Sequence, residues 1–407
     1  MYESAKIFPL EGVVQHYSWG GTAFIPALLG KENNPGKPFA EYWMGAHIKA
    51  PAIIRQKQRA VALDQLVKEH PSKVLGNVIA ENFGGLPYLL KVLDVREMLS
   101  IQVHPDKQHA KQAFEEENRE GKPMDAANRN YKDANHKPEL MAALSEFWLL
   151  HGFKPEAALK ETLKNVPELQ YLIAIFEKGG YKGIYRHVME MDQERVNQEL
   201  TSLLERIVPL YQKEKLLRSN EDFWAARAAQ LYQKDGNIDR GLYSIYFFNV
   251  VHLQTGEAIF QDAGVPHAYL EGQNMEIMAN SDNVLRGGLT TKHIDVKELM
   301  KHVRFEPTEP VIIHPERRGN SAEEVYATPA ADFQLSRIIL TPHQSVMIES
   351  KAPDIYFVYE GKIEAFEGEE QVACRKGGSL IALAGSRLQI KAGDQTVIFR
   401  ASVPGVV

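Results

Sequence analysis

Cysteine is nearly absent from this chain: among 407 residues there is one, Cys374. A single thiol can form neither an intramolecular disulfide nor a cysteine-cluster zinc site. So few thiols point to a reducing cytoplasm. Long apolar runs are missing too. The longest, around Leu242 to Val251, carries Ser244 and Asn249 and is about half the roughly 20 residues that a membrane-spanning helix needs. Met1 to Gly20 has no basic segment followed by an apolar core, so no leader peptide is expected. Nor is there a cationic surplus. Lys and Arg number 47 against 53 Asp and Glu, a net charge of −6, which excludes a dedicated nucleic-acid binder. A P-loop, an H-E-x-x-H helix and a dinucleotide-binding glycine signature are all lacking. What remains is 44 % hydrophobic and 25 % charged, too apolar for disorder. At roughly 150 residues per domain, two to three domains are expected.

The N-terminal third reads as strands and loops. Leu86 to Val95 is a short Leu/Val-rich run, and Met98 to His104 alternates. As a strand, the latter puts Ser100, Gln102 and His104 on one face. Glu139 to Leu144 and Glu146 to Gly152 read as two more strands, and Asp106 to Asn128 as a surface helix and loop. From Lys154 to about Lys234 the pattern turns helical. Val196, Leu200, Leu203, Leu204 and Ile207 recur at helical spacing within Met191 to Val208. Ala157 to Asn165 and Phe223 to Tyr232 are also expected to be helical. Strands return with the aromatic and β-branched run Tyr243 to Leu253 and with Ala258 to Gln261, before a short helix over Leu299 to Phe305. Beyond Val311, short strands between glycine-containing turns predict a sandwich or barrel. The 310–325 stretch is the expected boundary.

Two constellations could carry chemistry. Gln102 and His104 lie two apart on an expected strand, Glu139 opens another, and His267 follows Pro266 at a strand–turn junction. Together they offer a nitrogen-and-oxygen ligand set from three distant segments, suited to zinc. Taken singly, each reads more plainly as a core histidine or a solvated carboxylate. The second constellation is Met278 to Lys292, where Asn280, Ser281, Asp282, Asn283, Arg286 and Lys292 crowd among glycines. A loop with Asx turns is the plain reading. An anion-handling loop with Arg286 and Lys292 as donors is the functional one.

The segment Tyr131 to Glu139, YKDANHKPE, matches in full the first signature of type I mannose-6-phosphate isomerases, Y-x-D-x-N-H-K-P-E. His267 to Lys292 resembles the second, with Gly287 where that family usually has Ala and Thr291 where it usually has Pro. Tyr17 to Gly20, Glu41 to Gly45 and Leu99 to Pro105 are also similar to family segments.

The resemblance implies a mainly β fold with α: a cupin (jelly-roll) catalytic barrel over 1–152 and 240–310, a helical domain over 153–239, and a second cupin-like domain over 311–407. It implies one Zn2+ per chain on Gln102, His104, Glu139 and His267. It also implies an aldose–ketose isomerase that interconverts D-mannose 6-phosphate and D-fructose 6-phosphate through a cis-enediol, in mannose breakdown or GDP-mannose supply. His136 and Lys137 are then expected to handle ring opening and proton transfer. Arg286 would stabilise the enediolate, and Asp282 would orient Lys137 or Arg286. Ser100 and Lys292 would bind phosphate, with Trp19 as an apolar wall. The expected partner is a small phosphosugar, without nucleic acid or membrane, and the expected state a monomer or weak homo-oligomer. Other readings are a cupin that binds sugar phosphates without turnover, or an iron oxygenase. The intact His136, Lys137 and Arg286 speak against the first, and a set with one amide and two histidines against the second.

Overall fold

One strand, His267–Ala279, organises the site-bearing half of the molecule. In the computed structural model, which describes residues 5–56, 59–232, 236–317, 319 and 321–405, it pairs antiparallel with four others: Tyr88–Val95, Ile101–Val103, Glu139–Ala143 and Phe147–Phe153. Such a long strand can serve four partners because it bends at Gly272. There φ is 131°, and a Cβ would lie 2.5 Å from the Phe147 ring. Before the bend the strand faces Phe147–Phe153. After it, the strand runs between Tyr88–Val95 and Glu139–Ala143. Leu285–Gly288 joins along Ile101–Val103, and Ala258–Gln261 along Glu139–Ala143. These strands belong to a ten-stranded sheet.

A nine-stranded sheet runs from Glu316–Arg317 through Gln334–Leu340, Thr396–Ser402 and Asp354–Glu360 to Ser379–Ala382. It continues into N-terminal strands, since Ile7–Glu11 pairs with Ser379–Ala382, and Ile53–Gln56 with Ile7–Glu11. A four-stranded sheet completes the C-terminal part. The fold is mainly β with α and cupin-like. The expected barrel is present in open form: no sheet closes its hydrogen bonding into a ring among the described residues.

The helical stretch forms as the spacing predicts. Val196, Leu200, Leu203 and Ile207 all lie on the buried face of Gln193–Gln212 and pack with Leu159, Leu163 and Trp224. Burying one such side chain stabilises by about 1.5–3 kcal/mol. The helix Leu172–Glu190 was not anticipated. Gly179, Gly180 and Gly183 interrupt its pattern, and it kinks at Gly180, where φ is 59°. No helix among the described residues is long and apolar enough to cross a membrane.

Three sequence expectations need correction. Tyr243–Leu253 does not form one strand: Gly241–Phe247 is a helix and only Phe248–Leu253 is extended. All seven helical residues are buried, and a run buried all round shows no period that separates helix from strand. The strand expected over Met98–His104 covers only Ile101–Val103, so Ser100 lies outside it. The short helices Leu63–Glu69, Pro71–Leu75 and Asn77–Phe83 replace expected loops, held by packing of Leu66, Val74, Leu75 and Ile79 rather than by length.

Candidate metal centre and active site

His104, Glu139 and His267 converge at the inner surface of the ten-stranded sheet. Their ligand-type atoms lie within 4.8 Å of one another, and all three residues are buried. Register places His267 beside Gln102, but Glu139 is brought to it only by the curvature of the long strand. His267 stands opposite Gln102 on one side and His151 on the other, while Glu139 opposes Met278 further along the same long strand. His104 Nε2 and His267 Nε2 each lie 3.4 Å from a Glu139 oxygen. Both rings are fixed through their other nitrogen. His104 Nδ1 donates to the Asn283 carbonyl at 2.8 Å, and His267 Nδ1 to the Val265 carbonyl at 3.0 Å. That bond selects the tautomer and leaves the Nε2 lone pairs facing Glu139. His104 Nε2 is buried without a hydrogen-bond partner, a costly state for a polar atom unless a ligand completes it. Two imidazoles, a carboxylate and a neighbouring amide fit zinc chemistry.

The electrostatics support the same reading. Burial, and then the Lys137 ammonium, push the His104 ring down to about 4, so it stays a neutral donor. Burial alone would raise the Glu139 carboxyl, but Lys137 and His104 hold it well below the usual range. Lys137 Nζ donates to Glu139 Oε1 at 2.5 Å. Beside this pair lies a second set. Lys91 bonds Glu276 at 3.0 Å and stands 3.6 Å from Glu41. Tyr269 donates to Glu276 at 2.9 Å, and Trp43 Nε1 donates to Glu41. A cavity of about 50 Å³ runs between the two sets, lined by Gln102, Lys137, Glu139, His267 and Tyr269 among others.

The remaining expected site residues fall into separate places. Arg286 opposes Gln102 in the sheet. Its side chain makes no hydrogen bond or ion pair with a described residue, and burial lowers its pKa. Lys292 lies on the loop after that strand; burial and the nearby Arg286 and Lys49 charges lower its pKa. Asp282 is paired with Lys49 at 2.7 Å and His47 at 3.4 Å, rather than with Lys137 or Arg286. His136 bonds Asp332 at 2.9 Å while its neighbour Lys137 bonds Glu139, as alternate residues of extended chain face opposite ways. Ser100 is half-buried just ahead of the Gln102 strand. Trp19 stacks on the exposed Tyr17 ring at 5.9 Å and packs against the cluster around Leu93, Met141 and Tyr269.

Asn283 joins the two signature segments. Its side chain receives the Lys132 N–H at 2.7 Å and donates to the Asp133 and Asn135 carbonyls, each at 2.8 Å, while its own carbonyl holds His104. Sequence reasoning missed Glu41, Lys91, Glu276, His47 and Lys49. One signal was that Glu41 and Glu276 lie in family-like segments. Lys91 within the apolar run Leu86 to Val95 was a further clue, since a buried lysine demands a partner.

Comparison with known proteins agrees with this geometry. Residues 7–156 match the family description for the catalytic domain of type I phosphomannose isomerases. The mannose-6-phosphate isomerase of Escherichia coli K12 is 36 % identical over 381 residues, covering 91 % of this chain and 93 % of that protein. The human mannose-6-phosphate isomerase is 32 % identical, covering 97 % and 98 %. Among solved structures, the Salmonella typhimurium mannose 6-phosphate isomerase bound to fructose 6-phosphate and zinc superposes with a TM-score of 0.86 at 33 % identity, over 98 % of this chain and 100 % of that one. Identity at this level along nearly the whole length shows that the chain belongs to the type I phosphomannose isomerase family.

Proposed function

We propose that this chain interconverts D-mannose 6-phosphate and D-fructose 6-phosphate with a zinc ion on His104, Glu139, His267 and Gln102. The observation that carries the reading is the buried histidine–carboxylate–histidine cluster, with Arg286 opposite Gln102 and without a partner among the described residues, in a chain whose relative binds fructose 6-phosphate and zinc. When bound, zinc supplies fixed positive charge that polarises and orients a sugar oxygen.

The chain's own residues account for the rest. The reaction moves a proton from C2 to C1 through a cis-enediol. Lys137, whose Nζ lies against Glu139 beside the ligand cluster, is assigned the transfer, the role expected of the His136–Lys137 pair: as the free amine it takes the C2 proton and returns it at C1. His136, bonded to Asp332, steadies the segment that carries Lys137 and Glu139. Arg286 brings an unneutralised guanidinium to the developing enediolate, where a pre-placed charge acts without reorganisation. Lys292 and Ser100 receive the phosphate, and Lys49 adds positive potential while Asp282 holds it. Trp19, backed by Tyr17, walls the sugar. The substrate is a free sugar phosphate, handled in the cytoplasm by a monomer or weak homo-oligomer.

The test is a coupled assay of mannose 6-phosphate to fructose 6-phosphate on one preparation, before chelation, after it, and after zinc is returned. Activity that disappears and comes back supports reaction and metal together. A zinc-loaded protein with no turnover overturns the assignment.

A further inference from the structure

We propose that Asp239, outside both signature segments, is a positioning residue that sets the turn leading from the strand of Arg286 to Lys292. The inference rests on the phosphosugar reading above. Asp239 lies at the end of the helical stretch, yet its carboxylate reaches the second signature. One oxygen accepts the Gly241 N–H at 2.7 Å and the Leu289 N–H at 2.9 Å; the other accepts the Thr290 N–H at 3.0 Å. Three backbone donors on one carboxylate make a charge-assisted clamp.

The clamp holds a conformation that the loop would not choose alone. Leu289 has φ of 51°, the left-handed region that β-carbon sterics disfavour. Its side chain is fully buried in the core of the helical stretch. Gly288 precedes it with φ of 133° and lies against Gly241 so closely that a Cβ there would come 2.4 Å from the Gly241 Cα. Beyond Leu289, Thr290 Oγ1 accepts the Lys292 N–H at 3.1 Å, so the turn passes from Asp239 through Thr290 to Lys292. The segment bearing Asp239 is itself braced. The Ile238 N–H is bonded to Asn197 at 2.9 Å, the Ile238 carbonyl to Gln193 at 2.8 Å, and Arg240 donates to the Met189 carbonyl. The helices thus act as an anvil for the phosphate-recognising turn, with Asp239 as the contact.

The decisive variant is Asp239→Asn in the zinc-loaded full chain. Its amide oxygen can keep the Gly241 and Leu289 bonds, while its NH2 meets the Thr290 N–H donor to donor, so the fold is retained and the turn is released. Losing one charge-assisted bond that orients a binding loop is expected to raise KM for mannose 6-phosphate about tenfold, with kcat within about twofold. Weaker competitive inhibition by inorganic phosphate should accompany it to the same degree. Zinc content should equal that of the parent protein. Asp239→Ala should enlarge the effect; if it fails to fold, Asp239→Asn alone decides. An Asp239→Asn protein with unchanged KM and unchanged phosphate inhibition, whatever its melting temperature, overturns the inference while a fully active parent leaves the phosphosugar reading intact. A parent protein inactive with zinc fails that reading itself, and this inference with it.

Discussion

Lys137 and Glu139 form a buried ion pair two residues apart on one extended segment, with Nζ and Oε1 separated by 2.5 Å. The pair sits where two histidines also meet the carboxylate. Lys137 is the only lysine or arginine in direct contact with Glu139 among the described residues. Removing one partner of a buried pair leaves an uncompensated charge. Lys137→Met is therefore expected to cost the metal-free protein about 3–5 kcal/mol. Adding Glu139→Gln should recover most of that loss, because the orphaned charge is gone. Urea unfolding of the two single variants and the double variant, all metal-free, measures the coupling. Additive losses would mean that the pair is not coupled in solution.

Arg286 and Lys292 lie six residues apart, on a strand and on the loop that follows it, and should separate kinetically. Arg286→Ala removes charge that acts as the enediolate forms, so kcat should fall about 10²- to 10³-fold with little change in KM. Lys292→Ala removes a ground-state phosphate contact and should raise KM about tenfold or more. Steady-state kinetics of the two variants compare directly. A KM effect for Arg286→Ala alone would move that residue from the reacting end of the sugar to the phosphate.

Stability of the metal-free protein should fall as the medium is acidified toward pH 4. Burial, joined for His104 by the Lys137 charge and only partly offset for His151 by its bond to Gln261, leaves both rings at about 4 in the folded state. Unfolded histidine titrates near 6.5. Between those values the unfolded chain takes up protons that the folded one refuses. Each ring therefore removes up to about 1.4 kcal/mol per pH unit as pH falls through that window, and the loss is absent above it. His151→Gln should flatten the slope by one ring's share. Unfolding curves at pH 7 and pH 5 test this, and an unchanged slope would mean that His151 is protonated in the fold.

Gly287 is a packing choice made in this chain. A Cβ there would lie 2.6 Å from the Tyr185 hydroxyl and 3.1 Å from Ile101. Tyr185 is fully buried and its hydroxyl makes no full hydrogen bond among the described residues, with Ser244 as its polar neighbour. Gly287→Ala should destabilise by about 1–3 kcal/mol through overpacking. Tyr185→Phe should be nearly neutral alone and should restore the Gly287→Ala variant. Thermal melts of the three proteins decide, and a stable Gly287→Ala protein would show that the tyrosine has room to move.

Much of this molecule was legible before its structure. The helical spacing of Val196, Leu200, Leu203 and Ile207 needs only local periodicity, because a stripe of apolar side chains must find cover. The short C-terminal strands announce themselves by alternation and glycine turns, although Ser386–Ala392, with its clean buried–exposed alternation, went unread. The metal-binding candidates Gln102, His104, Glu139 and His267 stood out by residue type and by the signatures around them. Other relationships were decided only by tertiary structure. Glu41, Lys91 and Glu276 come from three strands, and nothing in their own segments says that those strands adjoin. The pairing of Asp282 with Lys49, of His136 with Asp332, and of Asp239 with Leu289 and Thr290 depends likewise on sheet register and chain packing across large separations. A sequence records which face a side chain takes within its own element. Which partner waits on that face is set when distant elements are brought together, and the chemistry of this site is made of those meetings.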